Sequence, residues 1–220
     1  DLAKAFKGHE WATERQEVRR DLRRTVAAEL SSWMAAWVPA FGMGAVTTVG
    51  AIAPFTHTIK FMTGSGQAPS TTIWEKPADG LGRKLRGMCC NEFTIAAERG
   101  SVPTISSSWI GSGQTTDGDI TPIPGVQTVE YLRDKDGDIL MGPAGAAVSI
   151  KDRVLNWQVT ASLNLAEGHG YFPGTGLFRG RIWRGVRRVS LQLTLWSKET
   201  PDDILTLLLG ETLRELQIIY

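Results

Sequence analysis

A chain of 220 residues, 42% hydrophobic and 21% charged, can bury a sizeable core, which excludes an intrinsically disordered polypeptide. Its 24 basic residues against 23 acidic ones leave a net charge of +1, so no global field draws it to nucleic acid or an anionic membrane. No apolar run approaches the ~20 residues that span a bilayer and the N-terminal stretch is charged, which predicts a soluble protein with no membrane insertion.

From about Glu10 to Val38 the apolar residues Trp11, Val18, Leu22, Val26, Leu30, Trp33, Met34 and Trp37 form a stripe at helical spacing. This predicts a long N-terminal amphipathic helix, ended by Pro39, Gly42 and Gly44. Arg15, Arg19, Arg20, Arg23 and Arg24 are interleaved with acids, which favours a solvated or subunit-facing surface over a nucleic-acid patch. The expected division is an N-terminal helical segment, 1–40, and a β domain, 41–220.

Strand signals follow. Phe55, His57, Ile59 and Phe61 alternate with polar residues, and His57 is read as a core histidine, because His9 and His169 share no ligand spacing with it. Thr71–Glu75 is a short strand. Leu85–Ile110 forms a hairpin with Phe93, Ile95 and Ala97 on one face and Glu92, Thr94 and Glu98 on the other. Glu98-Arg99-Gly100-Ser101 supplies its turn, and Ile105 and Trp109 share a face on the return leg. Cys89 and Cys90 are adjacent and point to opposite faces, so they are read as free thiols rather than a bridge, with a redox pair as the alternative.

Gly111–Asp119 has the glycines of a phosphate cradle without its Gly-Lys-Ser/Thr, and is read as a surface loop. Asp134, Asp136 and Asp138 lack the glycine and glutamate positions of a calcium loop, and are read as a hairpin turn at Asp136-Gly137 between Val129–Leu132 and Ile139–Met141. Leu155, Trp157, Val159, Ala161, Leu163 and Leu165 alternate with Asn156, Gln158, Thr160, Ser162 and Asn164. Val189, Leu191, Leu193 and Leu195 alternate in the same way with Arg188, Ser190, Gln192 and Thr194. Two long strands with one dry face and one wet, uncharged face argue an antiparallel sheet over a core.

Between them, Arg179, Arg181, Arg184, Arg187 and Arg188 cluster around Trp183, which suits a subunit contact better than single-stranded nucleic acid at this net charge. Thr200-Pro201-Asp202-Asp203 opens a short helix near the C-terminus, and Arg214–Tyr220 returns as a strand.

The Asn91–Ile95 strand, its turn and the Trp109-Ile110-Gly111 return resemble the central hairpin of phage tail tube proteins of long-tailed phages. Thr47-Thr48, Phe55–Ile59 and Ala68–Trp74 look like the lead-in to it, and Leu155–Leu165, Arg184–Arg188, the strand to Trp196 and Asp202-Asp203 are similar to the closing half. The likeness covers roughly 41–220. It implies a mainly β fold with flanking helices: an antiparallel β-sandwich or barrel of the tail tube type, with the long N-terminal helix and the short C-terminal one. It also implies stacked hexameric rings that conduct genomic DNA, contacts with other phage tail proteins, a virion location after assembly in the host cytoplasm, and neither catalysis nor cofactor. Under it Asn156, Gln158, Thr160, Ser162, Asn164, Ser190, Gln192, Thr194, Glu92 and Glu98 are the candidate lumen lining. Arg179, Arg181, Trp183, Arg184, Arg187 and Arg188 are the candidate subunit contact.

Two alternatives stay open. One is a monomeric β-sandwich binding module for carbohydrate or protein, stacking ligand on Trp74, Trp109 and Trp183; the other is a nucleic-acid binder acting through Arg179–Arg188.

Overall fold

Period-two alternation dominates the chain, and most of the residues described by its structure, a computed structural model, lie in strands. The description covers residues 22–49, 56–61, 68–75, 82–112, 115–118, 131–134, 137–143, 145–165, 182–196 and 215–219. In chain order these hold β1 (Leu22–Glu29), α1 (Ser32–Met43), β2 (Gly44–Val49), β3 (Thr56–Phe61), β4 (Thr71–Glu75), β5 (Gly82–Glu98) and β6 (Thr104–Gly111). They continue with β7 (Thr115–Gly118), β8 (Asp138–Gly142), β9 (Val148–Ser149), β10 (Val154–Ser162), β11 (Arg188–Leu195) and β12 (Glu215–Ile219).

The main sheet runs β1-β6-β5-β10-β11, antiparallel at every step, and the first half of the 17-residue β5 also pairs with β4 and β7. β5 changes partners near Gly87, whose φ of +63° is a conformation that suits glycine. The β5–β6 hairpin closes at Gly100 (φ +79°), with the Ser101 N–H and hydroxyl both donating to the Glu98 carbonyl. A β8-centred sheet (β12-β8-β9) and the β2–β3 ribbon complete the strand pairing.

The long N-terminal amphipathic helix is not what these residues form. Leu22–Glu29, the middle of the expected helix, is β1, paired over eight positions with β6. Residues 1–21 lie outside the described residues, as does the helix expected from Thr200. The helix begins at Ser32, where the Ser31 hydroxyl accepts from the Met34 N–H at 3.2 Å, an N-cap that satisfies one of the first orphan donors. It runs through Pro39 and Gly42 and stops only at Gly44, left-handed at φ +86°, whose N–H returns to the Ala40 carbonyl. Pro39 lies within the helix, where it costs a hydrogen bond without breaking the element.

Against the inner face of the sheet, α1 buries Val38 with Leu30, Leu85, Met88, Cys90, Phe93, Ile105, Trp109 and Ala161. Trp37 and Phe41 stack on Trp109 at 5.6 and 6.3 Å between ring centres. A second cluster joins Ala97, Val154 and Trp157 to Ile139, Met141 and Ile150 under the β8 sheet, and a third holds Ala68, Cys89, Ile110, Leu163, Leu165 and Ile182. Cys89 and Cys90 thus sit in different clusters as free thiols.

Three further expectations change. A bulge between Val154 and Asn156 turns Val154 into the core and Leu155 outward, to 36% exposure, so the alternation begins one residue later than its pattern suggests. β8 pairs with β12 and β9, so the expected hairpin partner Val129–Leu132 is not what holds Ile139–Met141. Part of the Gly111–Asp119 loop is β7, laid on β5.

Candidate functional site

The outer face of the main sheet gathers polar side chains from five strands into rows set by the register. One row reads Thr25, Ser108, Glu92, Ser162 and Arg188 from β1 to β11. The next reads Ala27, Ser106, Thr94, Thr160 and Ser190, and the third Glu29, Thr104, Ala96, Gln158 and Gln192. Glu98, Asn156 and Thr194 begin a fourth. At ~4.8 Å per strand and ~3.3 Å per residue, the face is roughly 20 Å by 20 Å. Each of these residues is half-buried or exposed.

The hydrogen bonds of this face run mostly within it. Thr94 Oγ1 and Thr160 Oγ1 are 3.0 Å apart across β5 and β10, and the Gln158 side-chain amide donates to Thr160 Oγ1 at 3.3 Å. Hydroxyls and amides tied to each other offer a passing ligand weak, distributed hydrogen bonding and no single strong anchor. The charges along the rows are Glu29, Glu92, Glu98 and Arg188, an acidic excess on a mainly neutral field. Near the hairpin turn the face dips into an open depression of about 500 Å³ bordered by Glu98, Ser101, Thr104, Asn156, Gln158, Gln192 and Thr194.

The nine expected lining residues on β5, β10 and β11 all reach this face: Glu92, Glu98, Asn156, Gln158, Thr160, Ser162, Ser190, Gln192 and Thr194. Asn164 does not join them. It lies past β10 with φ +46°, accepts from the Ser162 hydroxyl at 3.3 Å and donates to the Val186 carbonyl at 2.6 Å, so it closes the β10–β11 connection. The β6 residues Thr104, Ser106 and Ser108 and the β1 residues Thr25 and Glu29 were missed. The Thr104-Ile-Ser-Ser-Ser-Trp alternation carried that signal for β6.

The expected arginine cluster is described only in part. Arg179 and Arg181 lie outside the described residues, Arg187 stands 5.9 Å from the Phe61 ring, and Arg188 belongs to the polar face. Trp183 and Arg184 are half-buried. The stacking-platform alternative loses its central residue, because Trp109 is 1% exposed inside the core. Trp74, 45% exposed, already carries the Lys84 ammonium 4.5 Å from its ring centre.

Asp134 and Asp138 each bond partners of their own, and Asp136 lies outside the described residues. Asp134 Oδ2 accepts from the Gly100 N–H at 3.1 Å, and Asp138 Oδ1 accepts from Ile139 N–H and the Ser149 hydroxyl. Among the described residues no three His, Cys, Asp or Glu side chains gather as a metal site. Burial pushes the Cys90 thiol up to about 12, against a lowering backbone hydrogen bond at Glu92 and with the charges of Cys89 and Glu92 adding to the rise, so it is a packed thiol with little nucleophilic character at neutral pH. Within the described residues no helix is long and apolar enough to cross a membrane. No protein-family model matches the chain, and no curated protein matches it.

Proposed function

We propose that this chain is a structural subunit of a phage tail tube, assembling into stacked hexameric rings whose polar sheet faces line a conduit for DNA. What supports this reading is the polar face: five strands present a continuous, largely uncharged surface whose residues are all half-buried or exposed. A lining of Thr, Ser, Asn and Gln lets a polyanion slide, where a cationic lining would neutralise phosphates, release counterions and hold it. Glu92 and Glu98 add repulsion. Six copies of a four- or five-stranded sheet, closed at ~4.8 Å per strand, enclose a cylinder roughly 35–45 Å across, wide enough after side chains for a double helix. The resemblance of the β5–β6 hairpin and its flanking segments to tail tube proteins points the same way. The subunit works as a wall, with no chemistry and no cofactor, in the virion tail after assembly in the host cytoplasm, and it meets other tail proteins at the tube ends.

Negative-stain microscopy of the concentrated protein tests this directly. Six-fold rings or tubes are expected, and cysteine placed at Gln158 or Gln192 should be shielded in tubes from reagents too large to enter the lumen. A dispersed monomer at every concentration would instead favour a monomeric binding module. Labelling of those cysteines by reagents confined to the outside would move the lumen elsewhere.

A further inference from the structure

In a single chain the outer strands of the main sheet are β1 and β11, and among the described residues neither has a neighbour on its far side. Every step from β1 to β11 is antiparallel, and five strands is an odd number, so β1 and β11 point the same way. A copy adding its β11 beside β1 in a rotationally symmetric ring would create a parallel junction in an otherwise antiparallel sheet. Beside β6, by contrast, β11 of a second copy would pair antiparallel, the better-bonded arrangement and the one the rest of the sheet uses.

The side chains fit the second arrangement. On the inner face β11 presents Val189 at 53% and Leu191 at 39% exposure, branched apolar groups left without cover in one chain. β1 offers that same inner side only Val26 and Ala28 between Arg24 and the chain turn at Leu30. Val26 packs at the margin of the cluster formed with α1, in the position a second copy's Val189 or Leu191 would enter. On the outer face, Ser190, Gln192 and Thr194 would meet Ser108, Ser106 and Thr104, extending the neutral rows.

Beyond its backbone ladder β1 is tied by a bidentate ion pair, Arg24 to Glu75 of β4, with contacts of 2.5 and 3.2 Å and both side chains about one-third exposed, by the Ser107 hydroxyl donating to the Val26 carbonyl at 3.4 Å, and by Leu22 and Val26 packing on the main cluster. Behind it the chain is anchored at the buried Leu30, whose N–H donates to the Pro103 carbonyl at 2.7 Å, and at the Ser31 cap. The start of α1 is thus fixed by contacts outside the β1 ladder.

We infer that the β6 edge beneath β1 is the docking surface for β11 of a second copy, with β1 covering that edge in the free subunit and giving it up when subunits join. This rests on the tube reading for its setting. It assigns the subunit contact to a strand exchange rather than to the arginine-rich segment.

The test locks β1 in place in the full chain. Thr25 and Ser108, opposite each other across β1 and β6, are changed to cysteine and joined by a short bifunctional maleimide; Cys89 and Cys90 are buried and stay unlabelled. The linked protein is expected to remain monomeric in sedimentation and to form no rings, while the unlinked double variant assembles like the unmodified chain. Glu75→Ala, which opens the Arg24 clasp, should assemble severalfold faster. Assembly of the linked protein at the unlinked rate overturns the inference. If the unmodified chain forms no rings at all, the tube reading fails. The edge assignment is then judged on Glu75→Ala alone: a dimer that linking abolishes supports it, and a monomer at all concentrations overturns it.

Discussion

Thr94 and Thr160 face each other across the β5–β10 ladder with their Oγ1 atoms 3.0 Å apart, and the Gln158 amide donates to the same Thr160 oxygen. This small network links neighbouring strands on the polar face. Thr160→Val keeps the shape and removes the shared hydroxyl, so it should cost about 1 kcal/mol, a Tm fall of roughly 2–4 °C for a chain of this size. In a double-mutant cycle the Thr94→Val/Thr160→Val pair should cost less than the sum of its parts, because the partner left behind by one change is gone.

Gly42 of α1 approaches the Phe93 ring so closely that a Cβ built there would stand 2.7 Å from it. Alanine would gain about 1 kcal/mol of helix propensity, while overpacking a buried ring costs about 1–3 kcal/mol. Because Phe93 is enclosed by the main core cluster and has little room to retreat, Gly42→Ala should destabilise the protein, as read from the denaturant midpoint. Stabilisation would mean that α1 sits further from the sheet.

Asn91 lies at the bulge where β5 shifts its register against β6, and it anchors the chain leaving β10 twice. Its carbonyl accepts from Leu163 N–H at 2.8 Å, and its side-chain oxygen accepts from Leu165 N–H at 2.9 Å. Asn91→Ala leaves the Leu165 donor unsatisfied beside a buried cluster, a loss of about 1–3 kcal/mol. Hydrogen exchange at the Leu165 amide should accelerate in Asn91→Ala and stay slower in Asn91→Asp, which keeps an acceptor oxygen in place.

The Cys90 thiol, raised by burial from 9.0 to about 12, makes the folded state bind its proton more tightly than the unfolded chain does. Its contribution to stability is therefore complete below about pH 9 and is lost as pH rises towards 12. Thermal unfolding followed from pH 8 to pH 11 should show a decline that Cys90→Ala flattens, from a lower starting point because of the cavity it leaves. Thiol reagents at pH 8 should modify neither cysteine until the protein unfolds, since both are buried.

Where alternation was long and uninterrupted the sequence was legible: Asn156 to Ser162 and Arg188 to Leu195 form the strands, faces and polar surface expected of them. The N-terminal element was misread for a definite reason. Leu22, Val26 and Leu30 are spaced by four, and a spacing of four satisfies a helical stripe and an alternating strand equally. The stripe then ran on into Met34 and Trp37 of the true helix, masking the Ser31 cap that separates strand from helix. Pro39 reads as a stop in the sequence because the packing of α1 against the sheet, which outweighs one lost hydrogen bond, is a tertiary fact. The bulge at Leu155 and the partners of β8 were hidden likewise, since local pattern carries no information about register or about which distant strand completes a ladder.

β5 also has a mechanical consequence. From Cys89 onward it is bonded to β6 on one side and, from Glu92, to β10 on the other, whereas among the described residues its earlier half is bonded to the short β4 and β7. Tension along its axis would load both long ladders at once, in shear, so many hydrogen bonds would have to fail together. Tension across the strand at its first half would peel the short ladders bond by bond. The end of β5 beyond Gly87 is thus built to carry a pull along the strand, and the end before it is where the subunit would begin to give.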